Sequence, residues 1–137
     1  MTPEEYKDLL DKNYDRIVIT AKLTDLNKFI RAAKNTNARA AIKRIDDNTC
    51  MAFIRNQCKR HYNKVKLHYV WNEPNKKRDG DNISFGRKFI QDSMVKVGII
   101  DNDNLNHIVA DTNDYKFGEV YAVEIFIEER SNDKWKF

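Results

Sequence analysis

The hydrophobic and polar positions of this chain change period several times, and each change marks an element. Ile17, Ile19, Ala21 and Leu23 recur every second residue from Arg16 to Leu23, which predicts a first strand. From Leu26 to about Tyr62 the pattern turns helical and Ala-rich, with Asn35-Thr36-Asn37 and Asp46-Asp47-Asn48 as candidate breaks. Val65, Leu67, Tyr69 and Trp71 alternate again, a second strand. Ile83, Ile90, Met94 and Val97 then fall at offsets of seven, four and three, one stripe of a helix that starts near Asn82 and stops before Gly98. Leu105–Ala110 and Val120–Glu128 read as strands around a turn at Thr112–Gly118. Before all of these, Thr2-Pro3-Glu4-Glu5 carries a capping residue, a first-turn proline and a capping-box glutamate, so a helix to about Lys12 opens the chain. Helices and strands alternate without a linker, repeat or low-complexity tract. The expected fold is therefore one mixed α/β (α+β) domain over residues 1–137, a single mixed sheet packed by helices.

Charge changes this picture more than composition does. The 137 residues carry a net charge of +4. From Arg55 to Lys88 there are ten Lys/Arg against three Asp/Glu, and from Asp101 to Arg130 eight acids face two bases. A basic middle is suited to a polyanion. No apolar run approaches the roughly 20 residues of a membrane span, and the acidic start lacks the features of a signal peptide. A cytoplasmic protein with no membrane partner is expected. Cys50 and Cys58 form neither a disulfide framework nor a zinc spacing, and the reading for both is a buried or half-exposed thiol.

Three acids in and just after the basic middle carry the candidate chemistry. Asp79 and Asp81 follow Lys76-Lys77-Arg78, and Asp103 follows one helix later in Asp101-Asn102-Asp103-Asn104. Bare carboxylates repel phosphate, but they become useful beside it when they hold a divalent cation. In an extended segment Asp79 and Asp81 would point the same way. Asp103 can join them only if the chain folds back along a helix roughly 22 Å long. Lys88, two turns after Asp81, is placed to stabilise charge on a phosphate, or to pair with Asp92 at i,i+4. Asp-Gly-Asp and Asp-Asn-Asp are also ordinary turn sequences, and spacing alone favours turns.

The block Lys76-Lys77-Arg78-Asp79-Gly80-Asp81-Asn82-Ile83, continued by Lys88-Phe89-Ile90-Gln91-Asp92 and Gly98-Ile99-Ile100-Asp101-Asn102-Asp103, resembles the RusA family of Holliday-junction resolvases, common in phages and prophages. Upstream, Ile19–Ile30 with Leu26-Asn27 is similar to the family's first strand and Leu-Asn loop, so the resemblance runs from about Arg16 to Glu129. It implies a homodimeric, magnesium-dependent endonuclease, with manganese as an alternative metal. Such an enzyme nicks four-way DNA junctions in pairs during recombination and repair, in a bacterial or phage-infected cytoplasm. It implies Asp79, Asp81 and Asp103 as catalytic metal ligands and Lys88 as a catalytic lysine. Asn27, Lys76, Lys77, Arg78 and Arg87 are the expected DNA contacts. The sequence departs from the family twice: Asn102 stands where the prototype has an aspartate, and Lys88 aligns across a three-residue insertion after Asn82. Two rivals stay open. One is a junction- or single-strand-binding protein with structural aspartates, and the other is a nuclease for flaps or forks.

Overall fold

The computed structural model describes residues 1–131. Four strands form one mixed sheet in the order β1-β4-β2-β3. These are β1 (Asp15–Ile19), β2 (Val65–Glu73), β3 (Ile108–Phe117) and β4 (Ala122–Glu129). β4 runs antiparallel to both β1 and β2, pairing Ile17 with Ile125 and Tyr69 with Ile125, whereas β2 and β3 are parallel. The helices are α1 (Pro3–Asp11), α2 (Leu26–Ala32), α3 (Thr36–Gln57), α4 (Gly80–Ser84) and α5 (Arg87–Lys96). The mixed fold class expected from the pattern is the observed one.

The alternation of β2 explains which face is the core. Leu67, Tyr69 and Trp71 point with Ile17, Ile19, Val123, Ile125 and Ile127 towards α3 and α5, which contribute Cys50, Ile54, Phe89, Ile90 and Met94. All are buried, and burial of each large side chain stabilises the fold by about 1.5–3 kcal/mol. α1 lies over the opposite face, where Tyr6 donates to Glu124 Oε1 at 2.6 Å and Arg16 pairs with the same carboxylate. Its capping box forms as expected, with Glu5 N donating to Thr2 Oγ1 and Thr2 N to Glu5 Oε1, both at 3.1 Å.

Four boundaries differ from the sequence pattern. The first strand ends at Ile19, and Leu23 is buried instead from the loop before α2. Asn35 does break the helical stretch, as the N-cap of α3, but Asp46 and Asp47 lie buried inside that helix. They are tolerated because Asp47 accepts from Lys43 at 2.8 Å and Lys96 at 3.0 Å, and Asp46 from Thr24 N at 3.0 Å. The helix expected from Asn82 is split at Phe85-Gly86 into α4 and α5. At Gly86 an added Cβ would lie 3.1 Å from both Leu23 and Trp71, so the junction needs a bare backbone to approach the core. Its far end is as expected: Gly98, at φ +88°, provides the left-handed stop.

The fourth difference matters most for the site. Thr112–Gly118 is not a turn, because β3 runs through to Phe117 in register with β2, and the turn falls between Gly118 and Tyr121. Polar residues are acceptable there because Asp111, Asn113 and Tyr115 find partners. Asn113 accepts from Trp71 Nε1 at 2.9 Å, Asp111 pairs with Arg87 at 3.0 Å, and Tyr115 Oη donates to Gly80 O at 3.2 Å. β4 turns Val123, Ile125 and Ile127 to the core and Glu124 and Glu128 to the α1 face, and as an interior strand it is paired on both edges.

On the α1 face, Glu128 collects a compact network. Tyr14 Oη donates to its Oε1 at 2.8 Å, His68 Nε2 lies 3.0 Å from the same atom, and Arg130 pairs with Oε2. Burial works to raise the Glu128 pKa, but the bonds from His68, Tyr14 and Arg130 take it from 4.5 down to about 2. A depressed carboxyl stabilises the fold above its unfolded pKa and stops doing so as pH falls through the folded one. The stability due to Glu128 is thus whole above about pH 4.5 and lost towards pH 2. Glu128→Gln should cost about 1–2 kcal/mol at pH 7, allowing for solvent screening, and nearly nothing at pH 2. Urea melts of both proteins across that range measure it, and an equal deficit at both ends would refute the linkage.

Candidate metal and nucleic-acid site

The carboxylates sit at the exit of β2, where the chain turns into α4. Asp79 is the N-cap of α4, at φ −83° and ψ 169°, and its Oδ1 accepts from Asn82 N at 3.0 Å and Asn82 Nδ2 at 3.1 Å. Asp81 lies in the first helical turn, so the pair is not the extended Asp-x-Asp that spacing suggested. Both are exposed. The turn reading and the ligand reading coexist here: one oxygen of Asp79 caps the helix, while its second oxygen and both oxygens of Asp81 have no hydrogen bond among the described residues.

Asn82 then reaches across to α2. Its Oδ1 accepts from Asn27 N at 3.0 Å, so Asn27, which lies in the first turn of α2 and not in the expected loop, and the Asp79–Asn82 turn, 55 residues apart, are one assembly. Tyr115 closes the other side, its hydroxyl on Gly80 O and 3.1 Å from where a Cβ on Gly80 would stand. Burial, followed by Asp81 and Asp114, raises the Tyr115 pKa against the opposing effect of Ser84 and Arg87. Tyr115 is a site neighbour that the sequence concealed, because it was read as part of a turn.

No family model matches the chain, and no curated protein matches it. The roles of the remaining residues therefore rest on where the fold places them.

Lys88 is exposed and makes no ion pair among the described residues. The i,i+4 bridge to Asp92 does not form, because Lys43 of α3 takes Asp92 Oδ2 at 2.6 Å. Burial tends to raise the Asp92 pKa, but Lys43 foremost, then Asp103 and Lys88, hold it below the usual carboxylate range. Asp103, in the loop after Gly98, therefore lies within reach of the Asp92 carboxyl. It does not complete a cluster with Asp79 and Asp81: among the described residues no three Asp, Glu, His or Cys side chains converge on a metal position. A closed carboxylate cage does not fit this donor set. A largely hydrated magnesium ion does, since it needs only one or two carboxylates, with water and substrate phosphate supplying the rest.

The basic residues divide into outward and inward groups. Lys77 and Asn27 are exposed, and Lys76 is exposed with its Nζ 5.0 Å from the Phe117 ring. Arg87 is half-buried between Ser84 O and Asp111, both at 3.0 Å. Arg78 turns inward altogether, with Nε and Nη2 each 2.8 Å from the two oxygens of buried Glu73 and Nη1 at 3.4 Å from Leu23 O. Its charge is spent on Glu73, a carboxylate that alternation hides by placing it on the core face of β2.

Proposed function

We propose that this protein is a magnesium-dependent endonuclease that resolves branched DNA, four-way junctions above all, as its resemblance to the RusA family implies. The observation that carries this reading is the Asn82 bridge. It joins the turn that carries two exposed carboxylates, just after the basic run Lys76–Arg78, to Asn27 at the start of α2, two features distant in sequence that the same resemblance had singled out. Asp81 and the free oxygen of Asp79 would hold the magnesium ion. When bound, magnesium supplies Lewis acidity and neutralises charge on the scissile phosphate. Lys88, with no ion pair among the described residues, offers its ammonium to phosphate charge that develops during cleavage. Lys76 and Lys77 hold the strand through its backbone without reading bases. Asp103, beside Asp92, stands apart from Asp79 and Asp81. A twofold homodimer would set two such sites on opposing strands of a junction, which accounts for paired nicks.

One observation favours a second reading. Asp79 already caps α4, and the three aspartates do not converge, as expected of a non-catalytic junction-binding protein. Incubation of a labelled four-way junction and a linear duplex, with magnesium or with EDTA, separates the two. Wild-type protein should cut the junction in magnesium alone, and Asp81→Asn should lose about 100-fold or more of that rate, corresponding to several kcal/mol of charge stabilisation. Binding without any metal-dependent product, or equal cutting of the linear duplex, would sink the resolvase reading.

A further inference from the structure

A groove of about 350 Å³ lies between the end of α2, the first half of α3 and the first turn of α5. Thr36, Ala40 and Lys43, at helical offsets of four and three, form its α3 wall. Phe29 forms an aromatic floor, held from behind by Phe85 at 5.1 Å and Phe89 at 6.3 Å between ring centroids. The Arg39 guanidinium stands 5.2 Å from the Phe29 centroid. Lys88 closes the far rim and also borders the neighbouring polar depression lined by Ser84, Arg87 and Asp111.

The cations here are unequal. Lys43 is committed to Asp47 and Asp92 at 2.8 and 2.6 Å, whereas Arg39 and Lys88 make no ion pair among the described residues. The groove therefore joins an aromatic floor and a layered guanidinium to two positive charges that make no ion pair among the described residues. That combination complements an unstacked base with its phosphates: the base stacks on the Arg39–Phe29 pair, and the backbone runs along Arg39 and Lys88. A base inside a duplex is already stacked and paired, and extruding it costs a few kcal/mol.

We propose that this groove binds an unpaired nucleotide of a DNA strand, stacked over Phe29 and held at its phosphates by Arg39 and Lys88. The proposal rests on the nuclease reading for its purpose. Lys88, which the nuclease reading assigns to the cleaving site, also rims this groove, so one strand would engage both. Selection for branch points then arises from the groove, because only interrupted or opened duplex presents a free base.

The test is fluorescence anisotropy with a short labelled oligothymidylate in EDTA, where no cleavage occurs, with unlabelled duplex as competitor. Wild-type protein should bind the oligonucleotide, and duplex of equal length should compete at least about tenfold more weakly. Arg39→Gln and Ala40→Glu, both at exposed helical positions, should weaken binding about 5- to 100-fold. Arg39→Gln should also flatten the salt dependence. Phe29→Tyr, which keeps the ring, should retain binding, while Phe29→Leu should lose it with an unchanged circular dichroism spectrum. Unaltered binding by Arg39→Gln and Ala40→Glu, or equal competition by duplex, overturns the proposal. Junction cleavage in magnesium, measured in parallel, separates the two failures. Variants that lose oligonucleotide binding while wild type cuts nothing support the groove and defeat only the nuclease. Cleavage by wild type with unaltered binding by the variants defeats only the groove.

Discussion

Arg78→Ala is expected to destabilise the protein by about 3–5 kcal/mol, the cost of leaving a buried charge without its partner. Glu73 is 3% exposed and its carboxylate is met by the Arg78 fork through two bonds of 2.8 Å. Removing the guanidinium strands Glu73 on the core face of β2, and Leu23 O loses a donor as well. Arg78→Lys should recover little, since a point charge cannot reproduce a bidentate fork. Replacing both partners with apolar residues of similar volume, as in Glu73→Leu with Arg78→Met, should restore much of the loss. Urea denaturation of the four proteins reads these differences directly. The opposite result is equally informative: unchanged stability with weaker DNA binding and a shallower salt slope would return Arg78 to the outward, phosphate-holding group.

Asp79 should yield to a single well-chosen pair of substitutions. Asparagine caps a helix about as well as aspartate, so Asp79→Asn should keep the bond to Asn82 N and leave the melting temperature unchanged. It removes the charge that a magnesium ion needs, so junction cleavage should still fall by about 100-fold. Asp79→Ala removes cap and charge together and should show the same cleavage deficit plus about 1 kcal/mol of instability. Thermal melts and single-turnover cleavage of a labelled junction measure the two effects separately. Wild-type cleavage by Asp79→Asn would leave Asp79 a cap and nothing more.

Local chemistry was legible in the sequence wherever one segment alone decided the outcome. Thr2, Pro3 and Glu5 specify the start of α1, Gly98 stops α5, and alternation from Val65 to Trp71 marks β2 and its core face. Features set by distant partners were not legible. Asp111, Asn113 and Tyr115 resemble turn residues until Arg87, Trp71 and Gly80 are seen to satisfy them inside a strand. Asp92 looks like the partner of Lys88 until Lys43 arrives from another helix at 2.6 Å. Of the site, the Asp79–Asn82 turn and Asn27 do come together. Asp103 lies within reach of Asp92 instead, and Arg78 serves the core.

The parallel pairing of β2 with β3 has a consequence for motion. Every carboxylate of the site lies in the crossover between these two strands or at its ends, and β3 is an edge strand held along one side only. Two of its side chains, Tyr115 and Asp111, anchor Gly80 and Arg87 respectively. Edge strands open more cheaply than interior ones, in excursions that leave the rest of the fold intact. When β3 detaches, Gly80 loses Tyr115 and Arg87 loses Asp111 in the same event. The free energy of peeling one edge strand thus limits how long the carboxylates keep their arrangement, well below the energy that holds the core.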